Sequence, residues 1–449
     1  MGNFAVGTYR KTNERGNMKA FVKGVAAMLL LAGVAGAQEP DPEGFVSLFN
    51  GKDLTGWIGA IRGYDVENGV LYCKPEIGGK LLTAKEYDNF ILRFEFLVRE
   101  NGNNGLGIRC PVEGDAAYNG MELQILDDSG SQYTKLQPYQ YHGSIYGVVP
   151  CKRGAQKKVG EWNFQEVRAI GSRITVILNG EVITDADLKD ITETMDHRPH
   201  PGLHNAKGHI GWLGHGHRVD WRNIRIKEVP ADYKVGNPTD NKAPEGFTAL
   251  FNGKDLTNWK GVTTAEHFDN PIVRQKATPE KRAEMQKIAD KQMVEHWFVR
   301  DNGTLFFDGK HGGYSLATAK DYQDFEMYVD WRILSVRGDS GLYLRGSPQV
   351  QIWDAHNQWH IGSGGLYNNQ KNPSKALTIA DRQVGSWNTF YIKMVGEKVT
   401  VKLNGVLVVD NVTLENYWDR SRPIFPKEQI ELQCHGDPIE FKNIYIREL

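Results

Sequence analysis

The chain is poor in most of the features that advertise a function. It carries only four cysteines in 449 residues, at 73, 110, 151 and 434. None falls in a CxxC pair or in the Cys/His spacing that builds structural zinc. Lys and Arg number 54 against 55 Asp and Glu, a formal net charge of −1, and there is no long basic run. Nucleic-acid binding needs concentrated positive charge, so no nucleic-acid partner is expected. There is no GxSxG nucleophile elbow, and the GKD at 51–53 lacks the rest of a P-loop. The glycines of 102–107 lie between strand-like segments and not ahead of a helix, which excludes a dinucleotide fingerprint.

What the chain does have, it has twice. FNGKDLTGW at Phe49–Trp57 returns as FNGKDLTNW at Phe251–Trp259, an offset of 259 − 57 = 202. Thr83–Tyr87, Gly160–Asn163, Leu178–Gly180 and Arg222–Ile226 recur in the same order as Thr318–Tyr322, Gly385–Asn388, Leu403–Gly405 and Lys442–Ile446. The chain is therefore one domain, duplicated and diverged: a first copy over 44–228, a proline- and asparagine-bearing linker over 229–245 and a second copy over 246–449. Each copy is long enough to bury a core of its own. Ahead of them, 1–37 reads as an extension and a signal peptide. Lys19 and Lys23 precede an apolar run at Val25–Val34 and an Ala35-Gly36-Ala37 cleavage site, the order of an export signal. A periplasmic or secreted protein with no membrane span after cleavage is the expectation. Export permits disulfides. Cys110 and Cys151 each adjoin a proline and lack a counterpart in the second copy, which makes them the preferred pair.

Short β-branched and aromatic segments separated by turn residues, such as FILRFEFLV at 90–98, predict an all-β sandwich for each copy. Asn179-Gly180 between ITVIL and EVI is a hairpin signal. The second copy alone carries an insertion, at about 262–296, where Thr278-Pro279-Glu280 reads as a helix start. Ala283, Met285, Ile288, Ala289 and Met293 form its apolar stripe, packing on the sandwich or walling a binding face.

Strand parity sorts the chemistry-bearing residues onto faces. With Leu106 and Ile108 inward, Gly105, Gly107 and Arg109 point the other way. So do Glu122 and Gln124, with Asp127 at the strand end, and His215. The second copy presents Gly341, Tyr343, Arg345, Gln349, Gln351, Trp353, Asp354 and His435 in register. Arginine grips oxyanions, glutamine serves hydroxyl-rich ligands, histidine moves protons near neutrality, and Tyr343 and Trp353 offer stacking surfaces to a sugar ring. An ordinary solvated sheet face is the competing reading. His197, His200 and His204 are a weaker metal candidate, because Pro199 and Pro201 make their segment a loop.

FNGKDLTGW, YNGMELQILDD, KKVGEWN and GHIGWLGHGHRVDWRNIRIKE, with GDSGLYLRGSPQVQIWD and IELQCHGDPIEFKNIYIREL in the second copy, resemble the 3-keto-disaccharide hydrolase domain family. The resemblance covers nearly all of 44–449 and implies two tandem concanavalin A-like jelly-roll sandwiches and a carbohydrate substrate. It implies cleavage of a 3-keto-glycoside by C2 proton abstraction, loss of the C1 substituent and hydration. For that chemistry parity offers His215 and Glu122 to supply the acid and base between them, Arg109 as oxyanion contact, and Gln124 and Asp127 as hydroxyl contacts. Arg345, Tyr343, Gln351, Trp353, Asp354 and His435 are the binding residues of the second copy. No cofactor signature is present, and a divalent cation that replaces or assists the arginine stays open. A separate sugar oxidoreductase would have to make and later reduce the keto sugar. A carbohydrate-binding protein without catalysis is the alternative, as is a catalytic first copy joined to a binding second copy, since Gln349 stands where the first copy has Glu122.

Overall fold

In Phe90–Val98 every second side chain, from Phe90 through Leu92, Phe94 and Phe96 to Val98, is buried in one apolar cluster, while Arg93 and Glu95 point to the other side. That alternation is repeated strand by strand, and it dictates a two-layer sandwich. The computed structural model describes residues 41–310 and 314–449; the expected export signal and extension lie outside the described residues. Each copy forms a jelly-roll sandwich of one eight-stranded and one five-stranded antiparallel sheet. In the first copy the five-stranded sheet runs Trp57–Gly59, Gly79–Thr83, His209–Gly214, Asn103–Cys110, Met121–Leu126. In the second it runs Trp259–Gly261, Leu316–Thr318, Glu431–Leu432, Asp339–Leu344, Ser347–Trp353.

The turns follow from their residues. Asn179 and Gly180 both take positive φ, 47° and 87°, as do Asn404 and Gly405 at 53° and 85°, and each pair closes the expected hairpin. The repeated FNGKDLT motif is a self-contained turn. The Asn50 side-chain oxygen accepts from the amides of Lys52 and Asp53 at 2.8 and 3.0 Å, and Asp53 accepts from Thr55 at 2.9 Å. Asn252 and Asp255 repeat it with the same three distances. The motif that reveals the duplication is thus structural.

The predicted helix in the insertion spans Pro279–His296, with the Thr278 hydroxyl accepting from the Lys281 amide at 3.2 Å. Its buried stripe is Met285, Ala289 and Met293; Ala283 and Ile288, expected on that stripe, are exposed. Residue 261 must be glycine for the helix to sit so close to the sheet, because a Cβ there would lie 2.1 Å from the Ala289 carbonyl oxygen. Among the described residues no helix is long and apolar enough to cross a membrane.

The outward faces of the two eight-stranded sheets meet. Phe164 of the first sandwich belongs to the hydrophobic cluster of the second. Around it runs a buried ionic network. Arg93 pairs with Glu166 at 2.7 Å and Glu43 at 3.2 Å. Arg332 and Arg300 of the second copy converge on Glu440 at 2.5 and 2.6 Å. Glu43 also accepts from the Trp387 amide at 3.0 Å, and Arg225 donates to Ser386 and the Val384 carbonyl at 2.7 Å each. Burial opposes ionisation of Glu43, Glu166 and Glu440, but the guanidinium groups around them overcome it and hold all three carboxyls below their usual range. The copies are therefore joined across their eight-stranded sheets.

Candidate active site

On the outward face of the first five-stranded sheet lies a cavity of about 410 Å³ whose lining includes Glu122, Gln124 and His215. Parity delivers the first two: Met121, Leu123 and Ile125 are in the core, while Glu122 and Gln124 turn outward, each about 5 % exposed or less. His215 follows strand His209–Gly214, which is separated from Met121–Leu126 by Asn103–Cys110, and its Nε2 lies 3.6 Å from Glu122 Oε1. That oxygen is buried and has no hydrogen-bond partner. Interaction with Glu122 raises the His215 pKa against the opposing effect of burial. Gln124 donates to Asn103 Oδ1 at 2.8 Å, which orients its amide.

Gly105 is what admits the carboxylate. A Cβ at 105 would come 2.0 Å from Glu122 Oε1 and 2.6 Å from its Cδ. Glu122 thus occupies the space at Gly105, and Cys110 and Leu213 close over Gly107.

Several expected residues are elsewhere. Arg109 is buried at the strand end, donating to the carbonyls of Asp88, Asn205 and Gly171 at 3.0, 3.3 and 2.9 Å. Its φ of 50° and the register shift between His209 and Gly211 mark a bulge, and a bulge breaks the alternation on which the face assignment rested. Arg345 departs in the same way, with φ 48° and donation to the carbonyls of Pro426 and Gly396. Asp127 is buried and closes a turn by accepting from Asn101 and Ser129. Asp354 does so by accepting from Arg337, His356 and Asn357. Cys110 and Cys151 are free: the Cys110 thiol is directed at the carbonyls of Ile108 and Ala116, and burial pushes its pKa up to about 12.

The cation in the first cavity is one that sequence parity missed. Arg198, from the HRPHPGLH loop, lines it together with Tyr118, Tyr133 and Tyr146. Its guanidinium lies 4.0 Å from the Tyr118 ring centre and donates to the Tyr118 hydroxyl. The loop is held down because Gly202 packs against Asn119, where a Cβ would meet backbone at 2.1 Å, and because Gly202 donates to the Tyr118 carbonyl at 2.8 Å. His200 pairs with Asp196 at 3.2 Å and His197 with Glu193 at 2.9 Å. Among the described residues no cluster of three His, Cys, Asp or Glu side chains is arranged to hold a metal ion.

The second copy repeats the geometry with other groups. Gln349 replaces Glu122 and donates to Gln351, which donates to Asp339 at 2.7 Å. Burial raises the Asp339 pKa, and His435 lies 3.7 Å from it. Tyr343, at the position of Gly107, is hydrogen-bonded to Gln433 at 3.3 Å. Trp353 is buried under Trp359 at 5.2 Å and Tyr367 at 5.4 Å, so its faces are already covered.

The sequence is similar to a 3-keto-disaccharide hydrolase of Bacteroides thetaiotaomicron, 25% identical over 229 residues, which are 42% of this chain and 79% of the relative. Two solved structures from Parabacteroides distasonis, each described as a "putative glycosyl hydrolase", are also similar. One is 31% identical over 41% of this chain and 99% of its own, with a TM-score of 0.38; the other is 26% identical over 42% and 94%, with a TM-score of 0.36. The profile of the 3-keto-alpha-glucoside-1,2-lyase-like domain matches residues 44–227 and again 246–447. The chain belongs to the 3-keto-alpha-glucoside-1,2-lyase-like domain family, as two tandem copies.

Proposed function

We propose that the first sandwich cleaves 3-keto-glycosides by elimination and hydration. Family membership supports a carbohydrate-active, hydrolase-like role. The observation that carries the finer reading is the Glu122–His215 pair, a carboxylate with an unpartnered buried oxygen beside a histidine of raised pKa. A ketone at C3 acidifies the hydrogen on C2. Glu122 takes that proton, and the C2–H electron pair becomes the C2=C3 bond of an enolate whose charge rests on O3. Arg198 is the donor on hand for that oxyanion. As the C3 carbonyl re-forms, C1=C2 forms and the C1–O bond breaks, with the His215 imidazolium protonating the departing oxygen. Water then adds its hydroxyl to C1 and a proton to C2. Gln124 contacts substrate hydroxyls. No step runs through a metal ion.

The second sandwich reads as a binding module, because Gln349 cannot act as a base where the first copy has Glu122. The signal-like segment ending at Ala37 supports action outside the cytoplasm, and a separate oxidoreductase supplies the keto sugar. Purified chain should release sugar from a 3-keto-disaccharide and not from its unoxidised parent. Saturable binding without release from either would favour a carbohydrate-binding protein instead.

A further inference from the structure

The insertion that sets the second copy apart encloses a cavity of its own. Between helix Pro279–His296 and edge strand Trp259–Gly261 lies a space of about 270 Å³, just below the roughly 300 Å³ where pockets for drug-sized ligands begin. That is room for a single sugar-sized molecule. Three cations line it: Lys260 from the strand, Arg282 from the helix and Arg274 from the preceding helix Pro271–Lys276. Arg274 is committed, pairing with Glu428 at 3.3 Å and donating to the carbonyls of Phe268 and Asp269 at 2.9 Å each. Neither the Lys260 ammonium nor the Arg282 guanidinium has a hydrogen bond or ion pair among the described residues. Lys260 is half-buried, and burial together with Arg274 lowers its pKa, although Asp321 and Glu428 act on it in the opposite sense.

A second observation points to a ligand. Gln429 lines the same cavity and is 1 % exposed. Its amide nitrogen donates to Glu431 at 2.7 Å, but its Oε1 is buried with no donor. An unmet buried acceptor costs free energy until a donor reaches it. A bare anion could satisfy Lys260 and Arg282 but not Gln429; a neutral alcohol could satisfy Gln429 but not the cations. We propose that this cavity is a second ligand site, taking a monosaccharide-sized hydroxy acid. Its carboxylate meets Lys260 and Arg282, and one of its hydroxyls donates to Gln429 Oε1. Phe268 and Met285 supply the apolar wall. The site depends on the insertion and is independent of the Glu122–His215 chemistry.

Calorimetric titration of the full chain tests this, with glucuronate as probe and glucose and inorganic phosphate run alongside. Saturable glucuronate binding is expected, with glucose silent and phosphate weaker. Arg282→Gln changes an exposed helix position and should not disturb folding; it and Lys260→Met should each weaken glucuronate about tenfold or more, as losing a charged hydrogen bond does. Glu122→Gln and His215→Ala should bind it as the unaltered chain does. No glucuronate binding, or binding unchanged in both Arg282→Gln and Lys260→Met, would overturn the site. Loss that follows Glu122→Gln would assign the binding to the first sandwich, and phosphate matching glucuronate would overturn the hydroxy-acid class.

Discussion

Replacing Gly105 by alanine should disable the first site without unfolding it. The added Cβ would stand 2.0 Å from Glu122 Oε1, 2.6 Å from Cδ and 2.8 Å from Cγ. All three belong to one side chain, which can swing away, so the structural cost is that of a strained rotamer or a slightly overpacked site, about 1–3 kcal/mol. The carboxylate, however, must leave its place beside His215, which is only 3.6 Å away. A misplacement of about 1 Å can cost about a hundredfold in rate, and losing the base altogether about 10²–10⁴-fold. The His215 pKa, raised by Glu122, should fall. Two assays on one variant settle the matter: sugar release from a 3-keto-disaccharide, and an NMR titration of the His215 ring. Gly211→Ala is the contrasting control, because its Cβ would strike the Leu81 carbonyl oxygen at 1.9 Å and should prevent folding. Normal turnover with an unmoved His215 titration in Gly105→Ala would refute the reasoning.

Further outcomes are expected at His215, at two arginines and at the junction between the copies. His215→Ala should lower turnover about a hundredfold or more. Because His215 is raised in the fold, its protonated form persists above the ordinary value of about 6.5. Activity that uses the imidazolium should decline as pH rises through the folded pKa, and the stability this pair contributes is complete below the unfolded pKa and lost over the same rise. Arg198→Ala should abolish turnover with little change in melting temperature, whereas Arg109→Ala should lower the melting temperature while each folded molecule stays active; kinetics and thermal melts on both variants separate these roles. At the junction, Arg332→Met removes one of the two guanidinium groups on Glu440 and leaves Arg300 in place; it should cost about 1.5–3 kcal/mol, as losing a hydrogen bond to a charged group does, read by denaturant unfolding. Since Glu43, Glu166 and Glu440 are depressed in the fold, the stability they contribute is complete above the unfolded value of about 4.3 and should be lost as pH falls through their folded values.

The duplication, the sandwiches and the Asn-Gly hairpins were legible because each is a local or periodic feature. Glu122 and Gln124 were legible for the same reason, since parity holds across the strand Met121–Leu126; His215 lies one residue past strand His209–Gly214. It failed at Arg109 and Arg345, where a left-handed residue and a register shift reverse the side chain. No pattern marks that event, since arginine seldom takes positive φ. Arg198 and Tyr118 were illegible because a loop and a four-residue helix bring them together through long-range contacts. The Arg198 segment stands out in the sequence only for its histidines, of which His197 and His200 pair with Glu193 and Asp196. The Cys110–Cys151 pairing rested on neighbouring residues and compartment, neither of which fixes a distance.

The central claim is that the hydrogen on C2 leaves during catalysis. It is tested most directly by running the reaction in deuterated water with a 3-keto-glucoside and reading C2 of the released sugar by NMR and mass spectrometry. Deuterium at C2, dependent on Glu122 and above the exchange seen without protein, is the predicted result. Released sugar that retains its C2 hydrogen, or equal cleavage of the unoxidised glucoside, would contradict it.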